Sequence, residues 1–376
     1  MLKWVQSGLS AVAGTAEPEY GREAIHPITD TITDKSKCYR ETTIEDFGWK
    51  QPTSTNVETQ TFYFTCLKTG YLGFAQVIHS NVMGVHTTAQ FTFRFFNFKG
   101  KQEDNLWTST KLEDFRCEGS NFYANGLSIE LDKDNKLYTV KSSVNKDSVV
   151  DLTMVKLVPG VIFGDNGTTY YGDDLENPWG SMRHLFWPRC SVSGTVKSGD
   201  KVFEIEGYTM FVMALQGMKP HHAAKAWNFL NFQSESHSAV QMEFTTPMSY
   251  ANTKVNIAIL TSNDKILSCS INNEVVHENP EVDETGWPVP KAITFNFDGL
   301  SDDNKKVVGK VHGDLITLVE RVDVMAEIPQ FIKNIATGVS GTKPYIYQFC
   351  NDMEIEIDDG VKESGMGFNE ATFISE

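Results

Sequence analysis

The sequence predicts an all-β protein, two tandem barrels preceded by an N-terminal amphipathic helix. Three observations carry this prediction. From Val57 onward, polar and apolar residues alternate with period two in short runs separated by Gly, Asn and Asp turn signals. The aromatic load, with 24 Phe, 12 Tyr and 7 Trp, suits pleated sheet and apolar interiors. A chain of 376 residues has room for two cores, and the Pro-bearing stretch Gln216 to Pro220 offers a seam between them.

Residues 1–18 form the first unit. On a helical wheel Leu2, Val5, Leu9, Val12, Ala13 and Ala16 share one face, and Lys3, Gln6, Ser7, Ser10 and Gly14 lie opposite. Trp4 sits at the margin, where an amphipathic ring can lie among lipid headgroups. Lys3 is the sole charge before Glu17, so a helix here binds membrane by inserting Leu2, Trp4, Val5, Leu9 and Val12 rather than by attraction to anionic lipid. Pro18 stops it. Docking on the protein's own barrels is the competing role for this helix; a secretory signal fails because Gln6, Ser7, Gly8 and Ser10 break its apolar core.

Residues 19–56, with Pro27 and Pro52 and no period, read as an extended linker anchored by Ile44, Phe47 and Trp49. Residues 57–217 read as the first barrel. Its strands are expected at Val57–Cys66, Tyr71–His79, Thr87–Phe96, Leu127–Leu131, Leu137–Val144, Val149–Leu157, Ser191–Val196 and Tyr208–Leu215, with a long Gly/Asp-rich loop from Gly164 to Glu176. Phe91, Phe93 and Phe95 fall on one strand face, Arg94 and Phe96 on the other. Residues 218–376 repeat the pattern as a second barrel ending in an alternating, ordered tail.

Between Asn177 and Arg189 the chain concentrates Trp179, Arg183, His184, Phe186 and Trp187 within a frame set by Pro178 and Pro188. Leu185 and Trp187 point to one side of an extended chain, His184 and Phe186 to the other. Arginine beside large aromatics supports stacking as well as forked hydrogen bonding. The composition of this stretch fits a structural corner as well as a ligand site.

The run Trp179 to Arg189 resembles the fungal survival-factor family. Collinear runs agree with it: Met1 to Trp4, Ala16 to Gly21, Gly73 to Ser80 and Gln216 to His222. The resemblance implies tandem lipocalin-like barrels that bind ceramide. It further implies non-vesicular transfer of that lipid between endoplasmic reticulum and cis-Golgi membranes by a cytoplasmic, peripherally bound monomer, with the nucleus as an additional location and a role in surviving oxidative or cold stress. Retention and acetylation of Met1 is implied in the same way. Trp179, Arg183, His184, Phe186 and Trp187 are then the candidate cavity residues.

Composition bounds the alternatives. A formal net charge of −16 argues against nucleic acid and against electrostatic attachment to anionic lipid. The six cysteines are scattered without C-x-x-C pairs or zinc spacing, as in reduced cytosolic proteins; no metal or other cofactor is expected. His221-His222 point to opposite faces if extended and do not suit one ion. No nucleophile elbow, P-loop or dinucleotide fingerprint occurs. The rival class is an enzyme on a long apolar substrate, similar to the carotenoid hydratases, with Asp173, Asp174 or His184 as acid or base. The third class is a ligand-free stress protein with solid barrels.

Overall fold

The computed structural model describes residues 20–82, 86–218, 220–324, 344–358 and 360–375. The helix expected at residues 1–18 lies outside these. The described chain is nearly all antiparallel β, arranged as one open and one closed lipocalin-like unit.

The second unit closes. Strands Ala226–Ser234, His237–Thr245, Lys254–Ser262 and Ile266–Ser270 run outward from one side of Val361–Phe373; Tyr345–Ile357, Lys306–Asp314 and Ala292–Leu300 run from the other. Pairing of Cys269 with Leu300 joins the ends into an eight-stranded barrel. The first unit does not close. Its ladder runs from Leu106–Lys111 through His86–Asn97, Tyr71–Val82, Asn56–Cys66, Lys201–Gln216, Gly180–Ser198, Val149–Lys156, Leu137–Ser142, Leu127–Leu131 and Asn121–Ala124 to Arg116–Glu118, without pairing the first to the last. The expectation of two barrels is therefore corrected to a half-barrel followed by a barrel. The physical reason lies at the ladder's end, where Arg116–Glu118 has three residues and alternates toward solvent rather than offering a long edge. Side chains tie Leu106–Lys111 instead to the turn between Leu137–Ser142 and Val149–Lys156: Thr108 Oγ1 and Ser148 Oγ share a 2.6 Å hydrogen bond, and Asn145 Nδ2 donates to Thr110 Oγ1 at 3.1 Å.

The segment read as a linker is a strap. Ile25–His26 pairs with Thr168–Tyr171, a strand inside the expected Gly/Asp-rich loop, and Tyr39–Glu41 pairs with Val161–Phe163. Ala24 and Phe47 are fully buried. Their burial offsets the entropy of ordering the strap, which the absence of a period in its sequence conceals.

Strand parity sorts the side chains into layers. Phe62, Phe64, Phe91, Phe93, Phe95, Trp187 and Phe211 line the inner face of the half-barrel. Leu230, Phe232, Phe295, Val311, Phe349 and Ile355 line that of the barrel. A third core lies between the two sheets, where Tyr63 stacks on Phe229 at 5.8 Å and meets Phe368 at 5.4 Å, and Phe74 meets Phe368 edge-on at 5.9 Å.

Candidate functional site

The stretch singled out in the sequence is one strand, Gly180–Ser198, longer than the strand expected at Ser191–Val196. Its pairing with Lys201–Gln216 slips between Trp187 and Cys190, so Pro188 and Arg189 occupy a bulge. Proline cannot donate to a ladder, and a bulge is one of the few places a central strand tolerates it. The bulge also turns Arg189 out of the half-barrel. Its Nη1 donates to Gln233 Oε1, Ser234 O and His237 O at 2.9–3.0 Å, and its Nη2 to Glu235 O and Asn263 Oδ1. The guanidinium thereby fastens the half-barrel to the turn that follows Ala226–Ser234. Burial lowers its pKa to about 10.

The five candidate cavity residues do not share one cavity. Trp187 is fully buried in the half-barrel, edge-on to Phe47 and against Tyr138. Arg183 lies on the same side, donating to the carbonyls of Asp46 and Asn166, with burial depressing its pKa. His184 and Phe186 face the other way, into the core between the sheets. His184 packs against Trp227, and burial followed by the Arg183 charge lowers its pKa to about 3, which keeps it neutral. Trp179 is 45% exposed at the strand's start, donates Nε1–H to Tyr250 Oη at 2.8 Å and rests on Tyr20. Asp174 sits on an exposed turn, its carboxylate held by Asn177 and the Glu176 N–H. Asp174 and His184 therefore do not converge on a shared substrate position.

A different set does converge. Inside the half-barrel, Glu58 and His79 face each other across neighbouring strands, and Gln60 stands two residues from Glu58 on the same face. The His79 ring lies 6.4 Å from Trp49 and 5.3 Å from Phe115, and Trp49 lies 5.3 Å from Phe122. Trp49 and Phe115 are half-buried beside the ladder's unpaired ends. Three polar atoms here are buried without a hydrogen-bond partner among the described residues: Trp49 Nε1, Gln60 Oε1 and His79 Nδ1. A buried polar atom without a partner costs about 1–3 kcal/mol, so three together mark a place prepared for a ligand's polar groups. The set is neutral. Burial lowers the His79 pKa and keeps the imidazole uncharged. Burial raises the pKa of Glu58, opposed by the backbone N–H groups of Lys50 and Gln51, which donate to its two oxygens at 2.8 and 2.9 Å. Those bonds engage Glu58 with the strap, leaving one donor, one acceptor and one imidazole nitrogen of either role. Sequence reasoning placed Trp49 as an anchor and His79 as a barrel residue, and passed over Gln60. Its signal was a polar residue on the apolar face of Asn56–Cys66, opposite the phase of Thr59 and Thr61.

The half-buried group His312, Glu354 and Glu356 is the one set of possible metal ligands among the described residues, and Lys310 and Lys362 already ion-pair with its carboxylates.

Comparison with known proteins agrees with the architecture. The half-barrel and barrel superpose on the crystal structure of CghA with Sch210972 with a TM-score of 0.62 at 11% identity, covering 94% of this chain and 98% of that one. A putative AttH from Nitrosomonas europaea gives 0.57 at 11% identity, covering 90% and 98%. At these identities the likeness concerns the fold alone. The chain is 64% identical to the ceramide-binding protein SVF1 of Candida albicans over the whole of both chains, and 53% identical to that of Kluyveromyces lactis over 100% of this chain and 97% of the relative. The Svf1 family match spans residues 2–375, and the chain belongs to that family.

Proposed function

We propose that the protein is a non-enzymatic ceramide carrier, with the lipid headgroup held by Trp49, Gln60 and His79 and its chains lying among the aromatic side chains of the half-barrel. The observation that carries this reading is the group of buried polar atoms at Trp49, Gln60 and His79 that have no partner among the described residues. Ceramide has one amide, two hydroxyls and no net charge. Its hydroxyls serve Gln60 Oε1 and His79 Nδ1, and its amide carbonyl accepts from the indole N–H of Trp49. The relatives' name supports the choice of lipid.

The half-buried rings of Trp49 and Phe115 at the open side give the chains access to the interior. The carrier works as a monomer. Residues 1–16 dock it reversibly on endoplasmic reticulum and cis-Golgi membranes through Leu2, Trp4, Val5, Leu9 and Val12, and non-vesicular transfer between them supports survival under oxidative or cold stress. The experiment is lipid mass spectrometry on protein purified from cells, beside ceramide uptake by delipidated protein. Recovered and re-bound ceramide supports the reading; absence of both overturns it.

A further inference from the structure

The closed barrel carries polar groups that the half-barrel site does not use. Parity places Gln241, Glu243, Asn228, Asn256 and Asn369 inside, on the face shared with Leu230, Ala239, Ala258 and Ala371. Most satisfy one another. Glu243 accepts from Asn256 Nδ2 at 2.9 Å and Asn228 Nδ2 at 3.3 Å, with Lys254 Nζ at 3.3 Å; Asn228 Oδ1 meets His277 Nε2 at 2.7 Å, and Gln241 Nε2 donates to Asn256 Oδ1 at 3.2 Å. What remains unpartnered among the described residues is two amide oxygens, one amide N–H group and one hydroxyl. The oxygens are Gln241 Oε1 and Asn369 Oδ1, in residues at most 1% exposed; the hydroxyl is Ser268 Oγ, and the N–H group is Asn351 Nδ2, which parity also turns inward. Gln241 and Asn369 flank Leu230 in one row of the wall, so their backbones stand about 10 Å apart across two strand spacings.

The wall is weakest beside them. Ser268 lies on Ile266–Ser270, and that strand meets Ala292–Leu300 through the single pair Cys269 and Leu300. Gly299 permits the approach, since a Cβ there would stand 2.8 Å from the Ser270 Cβ. Two clefts open along this seam, of about 140 Å³ beside Lys35, Cys38 and Gly299 and about 590 Å³ beside Ile266, Leu267, Val307 and Ile357.

We propose that the closed barrel is a second binding site, for a single-chain amphiphile whose headgroup supplies hydrogen-bond donors, and that this ligand enters through the Cys269–Leu300 seam. Hydroxyl groups serve the oxygens of Gln241 and Asn369, and the chain lies along Phe232, Phe295, Phe349 and Ile355. A fatty-acid carboxylate is rejected, because it has no donor for the oxygens of Gln241 and Asn369 and brings a negative charge to Glu243. An eight-stranded barrel holds one small ligand, which limits the cargo to one chain.

The test uses the full chain, delipidated, with 1-monomyristoylglycerol and myristate as probes and native mass spectrometry or calorimetry as readout. Wild type is expected to bind one monoacylglycerol and no myristate. Gln241→Met with Asn369→Leu, which removes both unpartnered oxygens at the cost of the Gln241 bond to Asn256 and the Asn369 contact with the Met353 sulfur, is expected to keep the fold, lose monoacylglycerol at least tenfold and keep ceramide. Leu300→Cys in a Cys38→Ser background places a thiol opposite Cys269; its oxidised form is expected to load at least tenfold more slowly than its reduced form. The proposal is overturned if wild type binds no monoacylglycerol, if the double variant binds it unchanged, or if oxidation leaves loading unchanged. Loss of ceramide together with monoacylglycerol in the double variant also overturns it, because the barrel would then be the ceramide site. Absence of ceramide binding with monoacylglycerol binding intact would instead count against the half-barrel reading alone.

Discussion

The Arg189 guanidinium lies 3.5 Å from the centre of the Tyr208 ring, so one arginine of the half-barrel is stacked on its own sheet while its donors reach the closed barrel. Buried arginine is costly to desolvate, and here carbonyl and amide oxygens rather than a carboxylate compensate it. Arg189→Ala removes all five of these hydrogen bonds, although Ser234 Oγ still donates to the His237 carbonyl and Asn263 Nδ2 to that of Glu235. It is expected to destabilise the protein by about 3–5 kcal/mol, and Arg189→Lys, which lacks the planar fork, by less. Thermal denaturation of the two variants checks this; an unchanged Tm in Arg189→Ala contradicts it.

Stability should fall on mild acidification. Burial holds the pKa of His184 at about 3 and depresses those of His79 and His277. A histidine whose folded pKa lies below its unfolded value near 6.5 takes up protons only on unfolding, so stability is full above that value and is lost as pH falls below it. For His184 the loss continues toward about pH 3, at up to about 1.4 kcal/mol per pH unit. Denaturant titrations between pH 7 and 5 should show a falling midpoint, and His184→Leu should flatten the slope. Equal slopes in wild type and variant would contradict the assignment.

Trp187 and Phe186 should behave as core residues. Each is at most 1% exposed, on opposite faces of one strand. Trp187→Ala and Phe186→Ala are expected to cost about 3–5 kcal/mol. Trp179→Phe, at a position 45% exposed, should cost about 1 kcal/mol or less through the lost bond to Tyr250. Chemical denaturation ranks the three, and a Trp179 variant less stable than the Trp187 variant would reverse the placement.

Much of this was legible in the sequence. Alternation in Phe91, Phe93 and Phe95 against Arg94 and Phe96 assigned faces that the fold keeps: the first three are buried in the half-barrel, while Arg94 lies outside it, ion-paired with Glu320 at 2.8 Å. Leu185 and Trp187 likewise part from His184 and Phe186. Closure was not legible, because it depends on pairings between distant edges: Cys269 with Leu300 in the barrel, and nothing equivalent among the described residues of the half-barrel. The strap escaped because its short strands borrow their partners from Val161–Phe163 and Thr168–Tyr171. The candidate site escaped because density of aromatic and charged residues was taken as the signal. The buried polar exceptions Gln60 and His79 are isolated in sequence and meet only across a ladder.

Membrane docking through residues 1–16, which lie outside the described residues, should depend on insertion rather than charge. Burial of Leu2, Val5, Leu9 and Val12 offers about 1.5–3 kcal/mol each when complete, and ordering the segment offsets much of it. Val12→Asp or Leu9→Asp should abolish flotation with liposomes and leave lipid uptake intact, while added salt should change wild-type flotation little. Flotation of Val12→Asp, or release of wild type by salt alone, contradicts the mechanism.

The most direct test is ceramide binding by delipidated wild type and by Gln60→Leu with His79→Phe, measured by native mass spectrometry and titration. Each lost hydrogen bond is worth about 0.5–1.5 kcal/mol. The wild type should bind one ceramide per chain, and the double variant should stay folded with affinity reduced about 5- to 150-fold. A wild type that binds no ceramide, or a folded double variant that binds it as tightly as wild type, contradicts the account.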